Sequence, residues 1–396
     1  MHVRLWGLLL LTFPFATNAQ NSAQIIIQTA HTALVLKEGK DQRLYQSYFG
    51  PKLDHNADYN TIPVGNHWSY VSAGMNDLFT PAIRMVHADG NPSLDLHYVS
   101  DRQKTDNDII STVILLKDPE YPVQVELHYE AYYQEDVIKA WTVIRQEEKQ
   151  PVTLTKFASC MLYFDAPHYW LTQFHGDWAS EMKMEESELT DGIKTIDSKL
   201  GTRADMYRTP AFFLSLNKDA GETHGNVIAG TLAWTGNFQF LFEIDEHNSL
   251  RVLAGMNPYA SQYTLQSGKD FVTPAFIFTY SNHGKGQATR NIDDWARKYD
   301  ILDGEKPRLT LLNNWETTGF NFNQQKLVSL LNDADTLGVN LFLLDDGWFG
   351  NKYPRNNDHA GLGDWQVNKG KIPDGIEYLV KQAEQRGLKF GIWIEP

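Results

Sequence analysis

Alternation of apolar and polar residues dominates the chain from about Gln24 to Tyr280. The runs Val123–Tyr129 and Lys139–Ile144 alternate with a period of two, which is typical of strands that bury one face. Turn signals such as the Asp-Gly pair at 89–90 recur between these runs. Many short strands separated by turns predict a large two-sheet β-sandwich.

The pattern changes after Tyr280. Ile292, Trp295, Ala296 and Tyr299 recur at helical spacing on one face, which predicts a linking helix from about 290 to 299. The segment Asp-Gly-Glu-Lys-Pro at 303–307 then interrupts the pattern, because glycine and proline break regular structure. We therefore expect a domain boundary near Pro307.

Beyond that boundary, apolar strands alternate with amphipathic helices. This βαβαβ order predicts parallel strands joined by crossover helices, which form either a closed barrel or a doubly wound sheet. A closed barrel of this kind needs eight strands, so the sequence predicts the front part of an incomplete barrel. The predicted elements are strand 309–314, helix 323–337, strand 339–344, helix 375–386 and strand 388–394.

The first residues have the composition of a secretory signal. Arg4 precedes an apolar run from Leu5 to Ala16, and small residues lie before Gln20. The run is shorter than the roughly 20 residues needed to cross a bilayer. A buried first strand or helix is the alternative interpretation. We expect an exported protein, periplasmic or secreted, without a membrane span.

The predicted organisation is a signal peptide at 1–19, a β domain at 20–285, a linking helix and linker at 286–307, and truncated barrel units at 308–396. Cys160 is the only cysteine, which excludes an internal disulfide framework, and its apolar neighbours favour a small buried side chain.

Composition narrows the class of ligand. The formal net charge of −14 argues against nucleic acid, because phosphate recognition needs a concentrated basic surface. The aromatic share of 12% suits stacking on sugar faces and suits a β-sandwich core equally well. Motifs typical of metal, nucleotide and acyl-transfer sites are not evident, so we expect no metal and no cofactor.

The run Asp-Asp-Gly-Trp at 345–348 is the sharpest candidate for chemistry. Asp345 and Asp346 follow four apolar residues, and two carboxylates are costly to bury, so we expect them at the strand end facing a polar ligand. The alternative is a simple turn, which an Asp-Gly pair commonly forms. Adjacent residues are poorly placed to act as acid and nucleophile on opposite sides of a glycosidic bond, so recognition is the better role.

Tryptophans end the predicted strands on either side in sequence. Trp315 and Trp393 could both line the mouth above the strands and stack on a pyranose ring. Core packing is the usual role of a single tryptophan at a strand end. Two of them flanking a carboxylate pair favour a ligand site instead.

These residues resemble glycoside hydrolase family 36, the bacterial type of α-galactosidase. Looser matches upstream extend the resemblance over essentially the whole mature chain, including Trp178 and the stretch from Asp77 to Ala82. The most specific matches are Asn-Trp-Glu at 314–316, Leu-Asp-Asp-Gly-Trp-Phe-Gly at 344–350, Gly-Asp-Trp at 363–365, Lys-Ile-Pro at 371–373 and Phe-Gly-Ile-Trp-Ile-Glu-Pro at 390–396.

The resemblance implies an N-terminal β-supersandwich, a (β/α)8 barrel and retaining hydrolysis of terminal α-linked galactose from oligosaccharides or polysaccharides. It implies that Asp345 and Asp346 hold the galactose O4 and O6 hydroxyls and that Trp315 and Trp393 wall the pocket. In tetrameric members, the first domain reaches a neighbour's active site.

Asp77 and Trp178 match the positions that reach into the neighbouring subunit, so the full-length protein is expected to form a homo-oligomer such as a tetramer. The stretch from 77 to 82 departs from the family pattern, because it lacks the aromatic residue and the arginine found there.

The family's nucleophile and acid/base are aspartates on later barrel strands, and we expect them beyond Pro396. The chain on its own is therefore expected to be inactive. An α-N-acetylgalactosaminidase of the same family is one alternative, and a non-catalytic carbohydrate-binding protein is another.

Overall fold

The computed structural model of the protein describes residues 22–204 and 206–395. The predicted signal peptide at 1–19 therefore lies outside the described residues. The chain divides into two compact units, Met1–Gly304 and Glu305–Pro396, and each is described by itself.

The first unit is built almost entirely from β-strands. In chain order, its described strands are β1 (Gln24–Gln28), β2 (Thr32–Glu38), β3 (Leu44–Pro51), β4 (Ile83–Val86), β5 (His97–Asp106), β6 (Ile109–Lys117), β7 (Val123–Tyr132), β8 (Val137–Gln146), β9 (Val152–Asp165), β10 (Tyr169–His175), β11 (Lys183–Glu188), β12 (Gly192–Asp197), β13 (Arg208–Leu216), β14 (Asn226–Leu232), β15 (Phe238–Ile244), β16 (Ser249–Met256), β17 (Tyr263–Leu265), β18 (Asp270–Val272) and β19 (Phe276–Ser281). Short 3₁₀ turns lie at Asn56–Thr61 and Gly201–Arg203.

These strands form three antiparallel sheets. Strands β1, β2 and β3 form a small sheet, and a ten-stranded sheet runs in the order β11-β10-β13-β14-β19-β8-β7-β6-β5, with β18 added beside β8. The third sheet runs in the order β12-β15-β16-β9-β17, with β4 beside β9. The strands predicted from alternation at 123–129 and 139–144 are confirmed within β7 and β8.

The two large sheets pack face to face through aromatic side chains. Phe212 of β13 lies with its ring centre 5.1 Å from that of Phe240 of β15, in an edge-to-face arrangement. Phe157 of β9 makes a similar contact with Phe271 of β18 at 4.6 Å. Alternating side chains from both sheets therefore supply one continuous apolar core.

One helix follows the last strand of this unit. Helix α1 spans Gly284–Trp295 and continues as a π-helical turn at Ala296–Asp300. It therefore begins several residues before the predicted start at 290. Part of the predicted apolar face is confirmed, since Trp295 is buried against β-sheet residues such as Ile277.

The second unit contains three parallel strands and three helices among its described residues. The strands β20 (Leu311–Asn313), β21 (Leu341–Leu344) and β22 (Lys389–Ile392) lie side by side, with β21 in the middle. The helices are α2 (Trp315–Thr318), α3 (Gln324–Leu337) and α4 (Ile376–Glu384).

The ends of α3 follow the sequence signals closely. The Asn323 side chain caps the helix by accepting a hydrogen bond from the Lys326 backbone N–H. Gly338 ends it in the left-handed conformation that favours glycine, at φ 71°. Leu327 and Leu331 are fully buried, whereas Leu337 at the end of the helix is 69% exposed. In the part of the chain that the structure describes, no helix has the length and apolar character needed to span a membrane.

Candidate functional site

The second unit brings three strand ends together at one edge of its sheet. In the parallel register, Asn313 pairs with Leu343, and Leu344 pairs with Ile392. The chain leaves the middle strand directly into Asp345 and Asp346. The segments that follow the two outer strands therefore lie on either side of this carboxylate pair.

Asp345 is half-buried and is held by asparagines of the neighbouring strand end. Its Oδ2 accepts a hydrogen bond from Asn313 Nδ2, and its backbone N–H donates to Asn314 Oδ1 over 2.7 Å. Its Oδ1 accepts the backbone N–H of Asp346 at 2.6 Å. Asn314 is itself fully buried, so this side of the carboxylate has a fixed support.

Asp346 is buried, with 5% exposure, and pairs with an arginine from the long loop after β21. Arg355 Nη2 donates to Oδ2 at 2.9 Å, and Arg355 Nε lies 3.1 Å from Oδ1 and 3.2 Å from Oδ2. The hydrogen bonds to Asp346 raise the pKa of the Arg355 guanidinium above its ordinary value. The two side chains form a paired charge in a buried position.

The structure does not put Trp315 at a strand end. Strand β20 ends at Asn313, whose side-chain oxygen accepts the Trp315 N–H at 2.8 Å, and Trp315 begins the short helix α2. Its half-buried ring meets Phe320 edge to face, with ring centres 5.0 Å apart. Trp315 is thus close to β20 and is oriented by a single turn of helix.

Trp393 directly follows β22 and belongs to an aromatic cluster. Its ring lies parallel to that of Phe349 at 6.3 Å and tilted against Trp365 at 6.5 Å. Its backbone carbonyl accepts the indole N–H of the buried Trp348 at 2.9 Å. Trp393 itself remains half-buried. The aromatic residues that follow β21 and β22 therefore pack together beside the carboxylate pair.

The sequence pattern assigned no role to two cations of this region, Arg355 and Lys371, although the family resemblance includes Lys371. Lys371 Nζ donates to the backbone carbonyls of Phe320 and Gly347, each at 2.9 Å, and of Arg355 at 3.2 Å. Burial lowers the pKa of Lys371 from its usual value, and the charge of Asp346 opposes that shift. A carboxylate that is buried needs a cation beside it. The spacing of residues in the sequence did not identify which lysine or arginine would pair with Asp346.

Asp77 and Trp178 both lie in the first unit. Asp77 Oδ2 accepts a hydrogen bond from Arg251 Nη2 at 2.7 Å, and its Oδ1 caps the Phe79 N–H at 2.8 Å. Trp178 lies in the connection between β10 and β11 and is 84% exposed. Asp77 is therefore engaged within its own unit, whereas the Trp178 ring is open to solvent. Within residues 22–204 and 206–395, no group of three or more His, Cys, Asp or Glu side chains is arranged to hold a metal ion.

Two sequence-family models match the chain. The glycosyl hydrolase family 36 N-terminal domain matches residues 42–266, which is more than half of the chain. The melibiase model matches residues 270–396.

Two characterised relatives are α-galactosidases. AgaA from Geobacillus stearothermophilus is 30% identical over an alignment of 372 residues, and the match covers 87% of this chain and 50% of that protein. Mel36A from Lactobacillus acidophilus is 28% identical over 378 residues, covering 91% of this chain and 50% of the relative. The chain thus spans about half the length of the curated relatives it matches.

Solved structures agree with these matches. The crystal structure of AgaA superposes with a TM-score of 0.87 at 27% identity, covering 94% of this chain and 56% of that chain. A variant of AgaA was solved in complex with raffinose, and it superposes with a TM-score of 0.87 at 27% identity, with the same coverage. Because the N-terminal domain model of the family matches more than half of this chain, the chain belongs to glycoside hydrolase family 36.

Proposed function

We propose that the protein containing this chain is an α-galactosidase that removes terminal α-linked galactose from oligosaccharides or polysaccharides with retention of configuration. Family membership and the names of the relatives AgaA and Mel36A support this activity. The observation that carries the proposal is the carboxylate pair Asp345 and Asp346 at the end of the middle strand, with tryptophans after both outer strands.

The proposed role of the carboxylates is to accept hydrogen bonds from galactose hydroxyls O4 and O6. A carboxylate offers about four acceptor positions. Asp345 uses some of them for Asn313 and for the Asp346 N–H, and Asp346 uses some for Arg355. We propose that sugar hydroxyls take the remaining acceptor positions, because hydrogen bonds to an ionised acceptor are the stronger kind.

The proposed role of Trp315 and Trp393 is to present apolar ring surface to the carbon face of the sugar. Both rings are half-buried, so each keeps accessible surface while neighbouring aromatics fix its orientation. An indole fixed in this way loses little conformational freedom when a sugar stacks on it.

We assign neither the nucleophile nor the acid/base to a residue of this chain. A retaining enzyme places those two carboxyl groups about 5 to 5.5 Å apart across the scissile bond, usually from different strands. Asp345 and Asp346 are sequence neighbours, and each is bound by a protein donor of its own. Binding and orientation of galactose are the steps that we attribute to them.

The architecture that we propose is a β-supersandwich followed by the first three βα units of a (β/α)8 barrel. The two large antiparallel sheets of the first unit and the parallel order β20-β21-β22 in the second unit support it. In such barrels, the ends of the strands and the loops after them form the active site, which is where the carboxylate pair lies.

We further propose that the full protein is exported and forms a homo-oligomer such as a tetramer. The residues at 1–19 have the composition of a signal peptide, which supports export to the periplasm or the medium. The exposed Trp178 is available to contact a substrate in a neighbouring subunit. Asp77 is a weaker candidate for that contact because Arg251 already binds it.

Hydrolysis rates on an aryl α-galactoside and on its 2-acetamido analogue test the activity in the complete natural protein. We expect turnover of the galactoside with retention of configuration, observed by NMR of the first-formed sugar. Preference for the acetamido substrate would instead favour an α-N-acetylgalactosaminidase. Sugar binding without any turnover would favour a carbohydrate-binding protein.

A further inference from the structure

The side chain of Arg355 is nearly inaccessible, at 5% exposure, and donates four hydrogen bonds. Its Nε and Nη2 hold both oxygens of Asp346, while Nη1 donates to the Ala360 carbonyl at 3.1 Å. Its Cζ lies 5.7 Å from the ring centre of Phe320, which is the ring that meets Trp315 edge to face. The guanidinium of Arg355 therefore contacts both Asp346, which we propose binds a sugar hydroxyl, and Phe320, which packs against Trp315.

The loop that carries Arg355 closes tightly around its backbone. A Cβ on Gly350, at φ +86°, would lie 2.4 Å from the Tyr353 carbonyl oxygen and 2.8 Å from the Arg355 nitrogen. A Cβ on Gly361, at φ +80°, would lie 2.5 Å from the same carbonyl oxygen. Both positions require glycine for conformation and for space. The backbone at Arg355 is therefore fixed from two sides before its side chain makes any contact.

A buried ion pair is an expensive way to stabilise a fold. Removing two charges from water costs about as much as their attraction returns, and well-packed apolar residues often serve equally well. The Arg355–Asp346 pair is placed where the chain leaves the middle strand, beside the other candidate sugar residues. Such a pair fixes the direction of the carboxylate, which an apolar pair could not do.

We propose that Arg355 is a positioning residue for galactose binding, which orients the Asp346 carboxylate so that its free lone pairs meet one sugar hydroxyl. This inference rests on the proposed function. Because the Nε hydrogen is shared between both oxygens, the carboxylate cannot rotate without losing contacts on both sides. The planar guanidinium is required for this geometry, and a lysine ammonium cannot reproduce it.

The test compares three ligands that carry no glycosidic bond for the complete natural protein to hydrolyse: galactose and its 4-deoxy and 6-deoxy analogues. Affinities are measured by calorimetry for the parent protein and for its Arg355→Lys and Arg355→Met variants. We expect Arg355→Met to weaken the binding of galactose, which has both hydroxyls, by roughly 100-fold, because misplaced groups in a site commonly cost that much. The loss should nearly vanish for the one deoxy analogue that lacks the hydroxyl bound by Asp346, and persist for the other.

Arg386→Lys is the matched control, because that arginine binds Asn332 Oδ1 and the Gln382 carbonyl between two helices. It should leave all three affinities unchanged. If Arg355→Met does not fold, judged by circular dichroism, Arg355→Lys decides the outcome with its charge retained.

An equal loss of affinity for all three ligands would mean that Arg355 has only a structural role, and this overturns the inference. Unchanged affinity in folded Arg355 variants overturns it as well. Failure of the parent protein to bind any of the three ligands is a different result, since it removes the proposed function and the inference together.

Discussion

Lys156 is a cation placed among other cations in the first unit. It lies on β9 directly opposite Arg84 of β4. Burial lowers the pKa of Lys156 to about 8; the Glu243 carboxylate opposes this shift, and Arg84 and Arg251 reinforce it. The folded state therefore holds this proton less tightly than the unfolded chain does.

This shift predicts a pH dependence of stability. Between pH 8 and the usual lysine value of 10.5, the unfolded chain binds more protons at this position, so its contribution to the free energy of unfolding rises with pH. The slope is at most about 1.4 kcal/mol per pH unit. We expect Lys156→Met to be more stable than the parent at pH 7 and to lack this rise, as measured by urea unfolding from pH 7 to 10. Lys104→Met, at an exposed position of β5, should keep it; a parallel rise in both variants would contradict the assignment.

The position of Asp346 could be predicted from the sequence, whereas its partner could not. Four apolar residues followed by two aspartates predicted the position of the carboxylates at a strand end, and the structure has them there. The pattern could not predict that Arg355 would bury one of them, because that contact depends on the path of the loop between β21 and α4. Loop geometry follows from positive-φ glycines and packing, which have no fixed spacing.

At the scale of elements, the start of α1 was missed for a reason of packing. Gly284 and Gly286 are poor helix formers, so the apolar pattern alone began the helix later. Their Cβ atoms would lie 2.4 Å from the Gly221 carbonyl oxygen and 2.1 Å from Glu222 Oε1. At Gly284 the nearest atoms are backbone atoms, so only glycine fits there, whereas the nearest atom to Gly286 is the end of the Glu222 side chain. The hydrogen bond from Lys285 N–H to Gly221 O at 2.9 Å compensates for the weak helix propensity.

The turn from β21 into the long loop depends on Gly347. It has φ +95°, and a Cβ there would lie 2.9 Å from Phe320 Cδ1 and 3.3 Å from Lys371 Nζ. Gly363 has a similar φ of +91° with nothing within 4 Å of its Cβ position. Both glycines avoid the same backbone strain, but only Gly347 also avoids a collision.

We expect Gly347→Ala to destabilise the protein more than Gly363→Ala does. Each variant should lose about 1 to 2 kcal/mol from the left-handed conformation, and Gly347→Ala should lose more because Phe320 and Lys371 must move. Thermal unfolding of the two variants and their parent measures the difference. Equal shifts in Tm would mean that the Phe320 contact imposes no constraint on this turn.

At the scale of the whole molecule, the two units differ in how completely their strands are paired with neighbouring strands. All described strands of the first unit pair within that unit, and the two large sheets share one apolar core. Period-two alternation predicted strands such as β7 and β8, whose burial alternates along the strand. Strands such as β19, which is buried on both faces, carry no such alternation. The order of the strands within the sheets was not predicted, since antiparallel pairing between distant strands leaves no periodic trace in the sequence.

We expect the polypeptide 22–304 to fold alone and the polypeptide 305–396 to fold poorly. In the described residues, β20 and β22 each pair on one side only, and Leu311, Ile392 and Ile394 are 47%, 40% and 56% exposed. Parallel sheets are normally covered on both faces, and unpaired edges promote association. Circular dichroism should show one cooperative thermal transition for 22–304. The shorter polypeptide should give a broad transition and bind a dye specific for apolar surface. A monomeric 305–396 polypeptide with a sharp transition would show that three parallel strands with their helices suffice for a stable core.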